Sequence, residues 1–309
     1  MKIIEPNVEI IAEPDIYKRI ELAGRTAYKS EDRITADSAK KFVQSMIAHG
    51  HESVLEHSNI VVQTFTAEAT MKMFQIIHEY EQVSHKPSYI RNRLRSDSRC
   101  MNCGKLWSGN LRAWRSICKL YHGEYLLISL FGNNPLFEDI PWQEHVELSH
   151  ETMALNIGSG VEHDPLHSII TARFTCSRGV SHELVRHRAM SFTQESSRYV
   201  SYNDVGVIAP YWYHDGRYKS IFSDSNSEAE HYYQLYRQAG APPQVARSAL
   251  NNDTKTEVVV TGTPYMWKDF LDLRTDKAAH PDIRLLAEKF RDTEEWQKWE
   301  VWMNERSAR

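Results

Sequence analysis

Apolar residues between Asp37 and Gly50 recur at Ala39, Phe42, Val43, Met46 and Ile47. That is one face of a helix, with Gly50 as its stop. Ser58 to Phe65 is rich in β-branched residues and predicts a strand, as do Ile169 to Cys176 and Glu257 to Thr261. Gln143 to Ile157 places Val146, His150, Met153, Ala154 and Ile157 along one stripe, which predicts a helix. Gly179 to Val185 predicts a short helix. Ser227 to Ala239 predicts a longer one ending at Gly240, and Pro242-Pro243 starts another running to about Leu250. Trp267 to Leu273 and Arg284 to Trp302 complete the helices. The rest of the stretch between about Ala67 and His167 has no clear period. Helices mixed with non-alternating strands predict an α+β protein.

One stretch echoes another. Ser108 to Tyr121 aligns without a gap on Thr261 to Arg274, with Gly109 on Gly262, Trp114 on Trp267 and Leu120 on Leu273. This is either a pseudo-repeat placing a strand-to-helix turn in each half, or chance between two such turns. Tyr121 stands where the other copy has Arg274, so the two cannot perform the same chemistry.

The composition narrows the class. The chain has 309 residues, 41% apolar and 25% charged, with a formal charge of -4. That supports a sizeable core and argues against bulk nucleic-acid binding, so any phosphate site is expected to be local. Four cysteines in so long a chain do not form a disulfide scaffold. Cys100-Met101-Asn102-Cys103 is a lone C-x-x-C near Cys118 and His122, open to free thiols, a zinc site or a redox pair. The opening residues have no signal-peptide pattern and no run is apolar enough to span a bilayer. The expectation is a cytoplasmic protein (host cytoplasm, were it viral) without membrane or nucleic-acid partners.

Candidate chemistry concentrates in Arg186 to Tyr199. Arg186, His187 and Arg188 are followed after seven residues by Ser196, then Arg198 and Tyr199. Guanidinium forks with hydroxyl and amide groups suit capture of phosphate. A second cluster is His49-Gly50-His51-Glu52-Ser53-Val54-Leu55-Glu56-His57. Read alone, it offers metal ligands or a polar helix-to-strand corner, and Gly50 breaks the helical spacing of a His-Glu-x-x-His site.

The first run resembles the signature of the flavin-dependent thymidylate synthases, and the second resembles that family's His-Gly-His-Glu segment. The resemblance implies a flavin-dependent thymidylate synthase fold of mixed helices and antiparallel-rich sheet. It implies one domain over 1–309, with an insertion at about 67–167. The implied reaction methylates dUMP to dTMP, with methylenetetrahydrofolate as carbon donor, FAD as flavin and NADPH as reductant. The family is homotetrameric, with sites shared between subunits.

Carried over, Arg186, His187, Arg188 and Gln194 contact FAD, as do Ser53, Thr263, Pro264, Tyr265 and Asp269. His51 sits by flavin and folate as a catalytic residue. Glu183, Arg186, Gln194, Glu195, Ser196, Ser197, Arg198 and Arg247 bind dUMP. Arg274 binds the uracil and is catalytic; no metal is implied. Thr193-Gln194 replaces the Asn-Glu of many relatives, and Thr263 and Asp269 replace asparagines. Two other classes fit parts of the sequence. One is a metal-dependent phosphohydrolase using His49, His51, Glu56 and His57. The other is a non-catalytic flavin- or nucleotide-binding relative.

Overall fold

The computed structural model describes residues 1–84, 91–94, 105–143, 153–157 and 164–307. The described strands, in chain order, are β1 (Lys2–Ile4), β2 (Asn7–Ile10), β3 (Ile60–Thr64), β4 (Arg91–Leu94), β5 (Lys105–Gly109), β6 (Met153–Ile157), β7 (Ile170–Ser177), β8 (Ser191–Gln194), β9 (Gly206–Ile208) and β10 (Lys255–Gly262). The chain forms two compact units. The first comprises Met1–Ala12, Glu21–Ala36 and Ile170–Arg309; the second comprises Glu13–Ile20 and Asp37–Ile169.

In the first unit, β2-β7-β10-β8 form an antiparallel sheet. Its core is aromatic: Trp267 stacks on Phe290 with ring centroids 4.0 Å apart and lies near Phe174 and Phe270. These rings come from β7 and from helices Pro264–Arg274 and Pro281–Arg291. A smaller cluster joins Val205 and Val207 to Phe222 and Tyr233 of helix Lys219–Gln238. In the second unit, β4-β5-β3-β6 form another antiparallel sheet. Ile60, Val62, Trp107, Trp114 and Phe131 lie in its buried core, with helices Ala67–Ser84, Leu111–Leu120 and Tyr125–Phe131 contributing to the same cluster.

The two sheets share one register. β3 pairs β5 with Ile60 opposite Gly109, and β7 pairs β10 with Ile170 opposite Gly262. β4 pairs β5 with Arg91 opposite Ser108, and β8 pairs β10 with Ser191 opposite Thr261. Each second strand runs into a capped helix. The Asn110 side chain accepts from Ala113 N at 2.8 Å, and Thr263 Oγ1 accepts from Met266 N at 3.3 Å. Trp114 Nε1 donates to the Ile60 carbonyl at 3.2 Å, and Trp267 Nε1 to the Ile170 carbonyl at 3.0 Å. His57-Ser58 precedes Ile60 at the spacing by which His167-Ser168 precedes Ile170. Pairing, cap and indole bond all recur, so the echo is a pseudo-repeat rather than chance. Each sheet takes its edge strand from far away in the chain: β2 precedes β3 yet pairs with β7, while β6 precedes β7 yet pairs with β3.

The predicted elements reappear with informative differences. Gly50 and Gly240, at φ 70° and 85°, follow the ends of helices Ser38–Ala48 and Lys219–Gln238. The helix predicted over Gln143 to Ile157 is corrected: Met153–Ile157 is β6, Ile60 pairing with Ile157 along the sheet edge. A short apolar run satisfies both periods, and partner strand β3 decides between them. Residues 144–152 lie outside the described residues. The single helix predicted over Arg284 to Trp302 is two, Pro281–Arg291 and Glu294–Ser307. Thr293 Oγ1 donates to the Phe290 carbonyl at 2.7 Å and accepts from Trp296 N at 3.3 Å, a local bond set that interrupts the helix. The helix begun by Pro243 covers only Pro243–Ala246 before a tight turn at Arg247–Ala249. Cys100 and Cys103 lie outside the described residues, whereas Cys118 and Cys176 are buried free thiols.

If the indole bonds anchor both copies, Trp267→Phe and Trp114→Phe should each cost about 2–4 kcal/mol, from an orphaned carbonyl plus lost volume. Urea denaturation measures this; a loss below about 0.5 kcal/mol at either site would show that its bond anchors nothing.

Candidate functional site

The Arg-His-Arg segment is built from a strand, a short helix and a return strand. The Ser177 hydroxyl caps helix Arg178–Leu184 by accepting from Val180 N at 3.2 Å. The chain then turns tightly, with Arg188 N donating to the Arg186 carbonyl at 2.9 Å and Met190 N to the His187 carbonyl at 3.0 Å. It re-enters the sheet as β8. A Cβ on Gly262 would lie 2.7 Å from Met190 Cε and 3.2 Å from its Cγ, so a side chain there would require Met190 to shift. The turn leaves Arg186 and Arg188 exposed and His187 half-buried.

Arg274 closes this segment from the end of its own helix. Its Nε donates to His187 Nε2 at 3.0 Å, Nη1 to Glu183 Oε2 at 3.1 Å and Nη2 to the Glu183 carbonyl at 3.0 Å. The last bond joins that of Arg186 N on a carbonyl in the final turn of helix Arg178–Leu184. Because His187 Nε2 accepts, its proton is assigned to Nδ1. Burial, then the Arg274 charge, holds the His187 pKa below the usual histidine value, against an opposing pull from Asp269. The imidazole is therefore neutral at neutral pH. A guanidinium has five N–H donors and three are used, which leaves two for a ligand.

Gln194 is fixed by two donations, to Ser181 Oγ at 2.9 Å and Thr256 Oγ1 at 3.1 Å. Ser181 gives its own proton to the Arg178 carbonyl, so the amide orientation is set and the Gln194 carbonyl oxygen is left as an acceptor. Glu195 is buried, held by Lys255 Nζ and the Tyr202 hydroxyl, each at 2.9 Å. Lys255 also pairs with Glu257, which pairs with Lys29. Ser196 N donates to the Ala27 carbonyl at 2.9 Å, and Tyr28 faces Tyr199 with centroids 5.5 Å apart. Ser197 is buried, while Arg198, Arg247, Tyr265 and Asp269 are exposed and Pro264 is buried. Among the described residues, Arg186, Arg188, Arg198 and Arg247 have no protein ion-pair partner.

The second unit holds His51 and Ser53, His51 exposed and Ser53 at the start of the short helix Glu52–Glu56. His57 is fully buried, and burial with Arg19 nearby pushes its pKa down to about 3. His49 Nδ1 meets the Ser45 carbonyl at 2.8 Å, and Glu56 pairs with Arg112. Among the described residues, no group of three or more His, Cys, Asp or Glu side chains is arranged to hold a metal. None of their helices is long and apolar enough to cross a membrane.

Several supporting residues carry no motif and lie far apart in sequence: Lys29, Lys255, Glu257 and Tyr202 around Glu195, and Ser181 and Thr256 around Gln194. Sequence reasoning misses them for that reason. Alternation along β10 is the available signal, since Thr256 lies between Lys255 and Glu257.

Residues 143–297 match the Thy1 family, described as thymidylate synthase complementing protein. The match covers half of the chain, and the chain belongs to this family. It takes in Arg186 to Tyr199, Arg247 and Arg274, and leaves out His49 to His57. The flavin-dependent thymidylate synthases of Mycolicibacterium gilvum (strain PYR-GCK) and Mycolicibacterium vanbaalenii are each 33% identical over 145 residues. That of Mycobacterium tuberculosis (strain ATCC 25177 / H37Ra) is 32% identical over 145 residues. Each alignment covers 42% of this chain and 57% of the relative, so the chain spans little more than half of their length. The crystal structure of a UMP/dUMP methylase, PolB from Streptomyces cacaoi, bound with 5-Br dUMP aligns over 100% of this chain and 97% of that one. Its identity is 15% and its TM-score 0.43, too low to fix a common fold.

The buried histidines set a pH limit. Above the ordinary value of 6.5, His57 is neutral folded and unfolded; between 6.5 and about 3 the unfolded chain takes the proton first. Stability should therefore fall as pH drops through that window, by up to about 1.4 kcal/mol per pH unit, with His187 adding in the same direction. Urea denaturation from pH 7.5 to 4.5 should show the slope, and His57→Gln should flatten it. Equal slopes in the two proteins would remove His57 as the cause.

Proposed function

We propose that the protein is a flavin-dependent thymidylate synthase, methylating dUMP to dTMP. The observation that carries this is the arrangement within the family-matched residues: a neutral His187 and Glu183 held by Arg274, beside exposed arginines without protein counter-anions. The donor set fits the ligands. FAD brings a pyrophosphate and dUMP a phosphate, and planar guanidiniums are suited to both. Arg186 and Arg188 would hold FAD; Arg198 and Arg247, with Ser196, would hold the dUMP phosphate. Ser53, Tyr265, Pro264, Thr263 and Asp269 would complete the flavin contacts, with His51 between flavin and folate. When bound, reduced flavin supplies the hydride and methylenetetrahydrofolate the carbon of the new methyl group, and NADPH restores the reduced flavin.

The chain's own part is to make uracil C5 nucleophilic. The two remaining Arg274 donors would meet ring oxygen and stabilise negative charge as it develops. Glu183 and His187 hold that guanidinium in place, so little reorganisation is needed. The Gln194 carbonyl offers an acceptor without charge. Glu195, with its carboxylate committed to Lys255 and Tyr202, shapes the nucleotide segment from behind. Cys118 and Cys176 are buried and their pKa values raised, Cys176 to about 12, so neither serves as an attacking thiolate. The proposal includes a homotetramer with shared sites. Ile221, Tyr232, Leu235 and Tyr236 are exposed on helix Lys219–Gln238, apolar surface of the kind that assembly covers.

The purified protein, supplied with FAD, should show a flavin spectrum that bleaches with NADPH and responds to dUMP. A protein that takes up no FAD would end this reading. Arg198→Ala should weaken dUMP binding about 10- to 30-fold by isothermal titration while FAD content holds. Unchanged dUMP affinity would contradict the phosphate role. Arg274→Ala should lower turnover about 100-fold or more, with FAD retained; near-normal turnover would remove Arg274 from the chemistry. Light scattering should give a tetramer, and a fully active monomer would exclude shared sites.

A further inference from the structure

The helix Leu111–Leu120 lies inside the segment 67–167, yet its polar groups are spent on residues near His51 and Ser53. Leu111 N donates to Ser58 Oγ at 2.9 Å. Arg112 Nη1 meets Glu56 Oε1 at 2.5 Å. Lys119 Nζ meets Glu52 Oε1 at 2.6 Å, and Arg115 Nε lies 3.6 Å from the same oxygen. Arg112, Arg115 and Lys119 fall at helical spacing, so one face presents three cations to the short helix Glu52–Glu56. Beneath them, Val54 and Leu55 share a buried core with Leu111, Trp114 and Ile117. Arg115 is fully buried and anchored behind by a two-oxygen pair with Asp139 at 2.7 and 2.8 Å.

The magnitudes decide what this clamp does. Arg112 and Lys119 are about half exposed, at 49% and 45%. Pairs of that kind contribute little to global stability. They do restrict orientation: Glu52 lies between His51 and Ser53, and its carboxylate is held by two cations at once. The clamp thus fixes a five-residue helix that is too short to hold its own shape. The pseudo-repeat adds a second reason. Helix Pro264–Arg274 occupies the equivalent place in the first unit, where Arg274 grips Glu183 and His187. The other copy has Tyr121 in place of that arginine and instead grips Glu52 and Glu56 from other positions.

We propose that Arg112, Arg115 and Lys119 are positioning residues that hold His51 and Ser53, through Glu56 and Glu52, in the orientation that receives flavin. This rests on the reading of His51 and Ser53 as flavin-facing. The segment 67–167 thereby supplies the scaffold of a ligand-binding segment that precedes it in the chain.

The test uses the full chain and the surface variant Arg112→Ala/Lys119→Ala, which leaves the buried Arg115 in place so that folding is preserved. Without ligands, hydrogen exchange in residues 49–57 should rise at least about tenfold, while residues 178–198 exchange as before. FAD affinity, read by flavin fluorescence, should fall about tenfold, with dUMP affinity unchanged. Lys119→Arg should retain wild-type behaviour, and exchanging the charges as Arg112→Glu/Glu56→Arg should recover more than either single change. Ser53→Ala should add little to the double variant, since both act on one contact. Unchanged exchange in 49–57, or unchanged FAD affinity in a protein whose wild type binds FAD, overturns the proposal alone. A wild type that binds no FAD overturns the functional reading and this proposal with it.

Discussion

The indole bond of Trp267 to the carbonyl of Ile170 is the constraint on which the first unit's site depends. Ile170 opens β7, and Gly262, its partner across the sheet, ends β10. Tying the following helix back to the strand opposite fixes its direction as it leaves the sheet. Thr263 caps the start and the Trp267 ring stacks into the aromatic core, so the helix has little freedom to rotate. Arg274, two turns beyond Trp267, is thereby delivered to Glu183 and His187. In the second unit the same bond, from Trp114 to Ile60, directs Arg112, Arg115 and Lys119 onto Glu52 and Glu56. One local device thus places two different sets of cations, and the chemistry differs because the residues around the tryptophan differ.

Charge is sorted by burial. Several buried or half-buried charges in the first unit are paired: Glu195 with Lys255, Glu257 with Lys255 and Lys29, Arg274 with Glu183. An unpaired charge at such depth would cost several kcal/mol, so these pairs are needed for the chain to fold as it does. The exposed guanidiniums of Arg186, Arg188, Arg198 and Arg247 carry no such requirement and remain solvated. Those are the groups an anionic ligand meets first. The division shows how a chain of net charge -4 presents local positive charge.

Much of this is legible in the sequence, for physical reasons. The strand before the motif, the glycine stops and the Arg-His-Arg run depend on short-range chemistry that a single segment carries. The resemblance carried by Arg186 to Tyr199 is borne out by the family match. The pseudo-repeat is visible through Gly109, Trp114 and Leu120, but nothing in those letters separates a true repeat from chance; strand register does. β6 reads as a helix because its period is ambiguous and its identity comes from β3. Glu183 and Glu195 are expected nucleotide contacts, and their carboxylates meet Arg274, Lys255 and Tyr202, partners the motif does not reveal. A motif marks which residues matter; it does not say which of them face a ligand and which hold their neighbours.

The pairing of the edge strands sharpens that point. β2 pairs with β7 within the first unit and β6 pairs with β3 within the second, each partner lying far away along the chain. An edge strand must find its partner by hydrophobic pattern and backbone pairing alone, since no turn connects the two. The first unit thereby depends on Met1–Ala12, a segment that all of Asp37–Ile169 separates from β7. In the second unit the helix Leu111–Leu120 carries a charged face of its own. Glu52 and Glu56, beside the residues carried over to flavin binding, are what that face now holds.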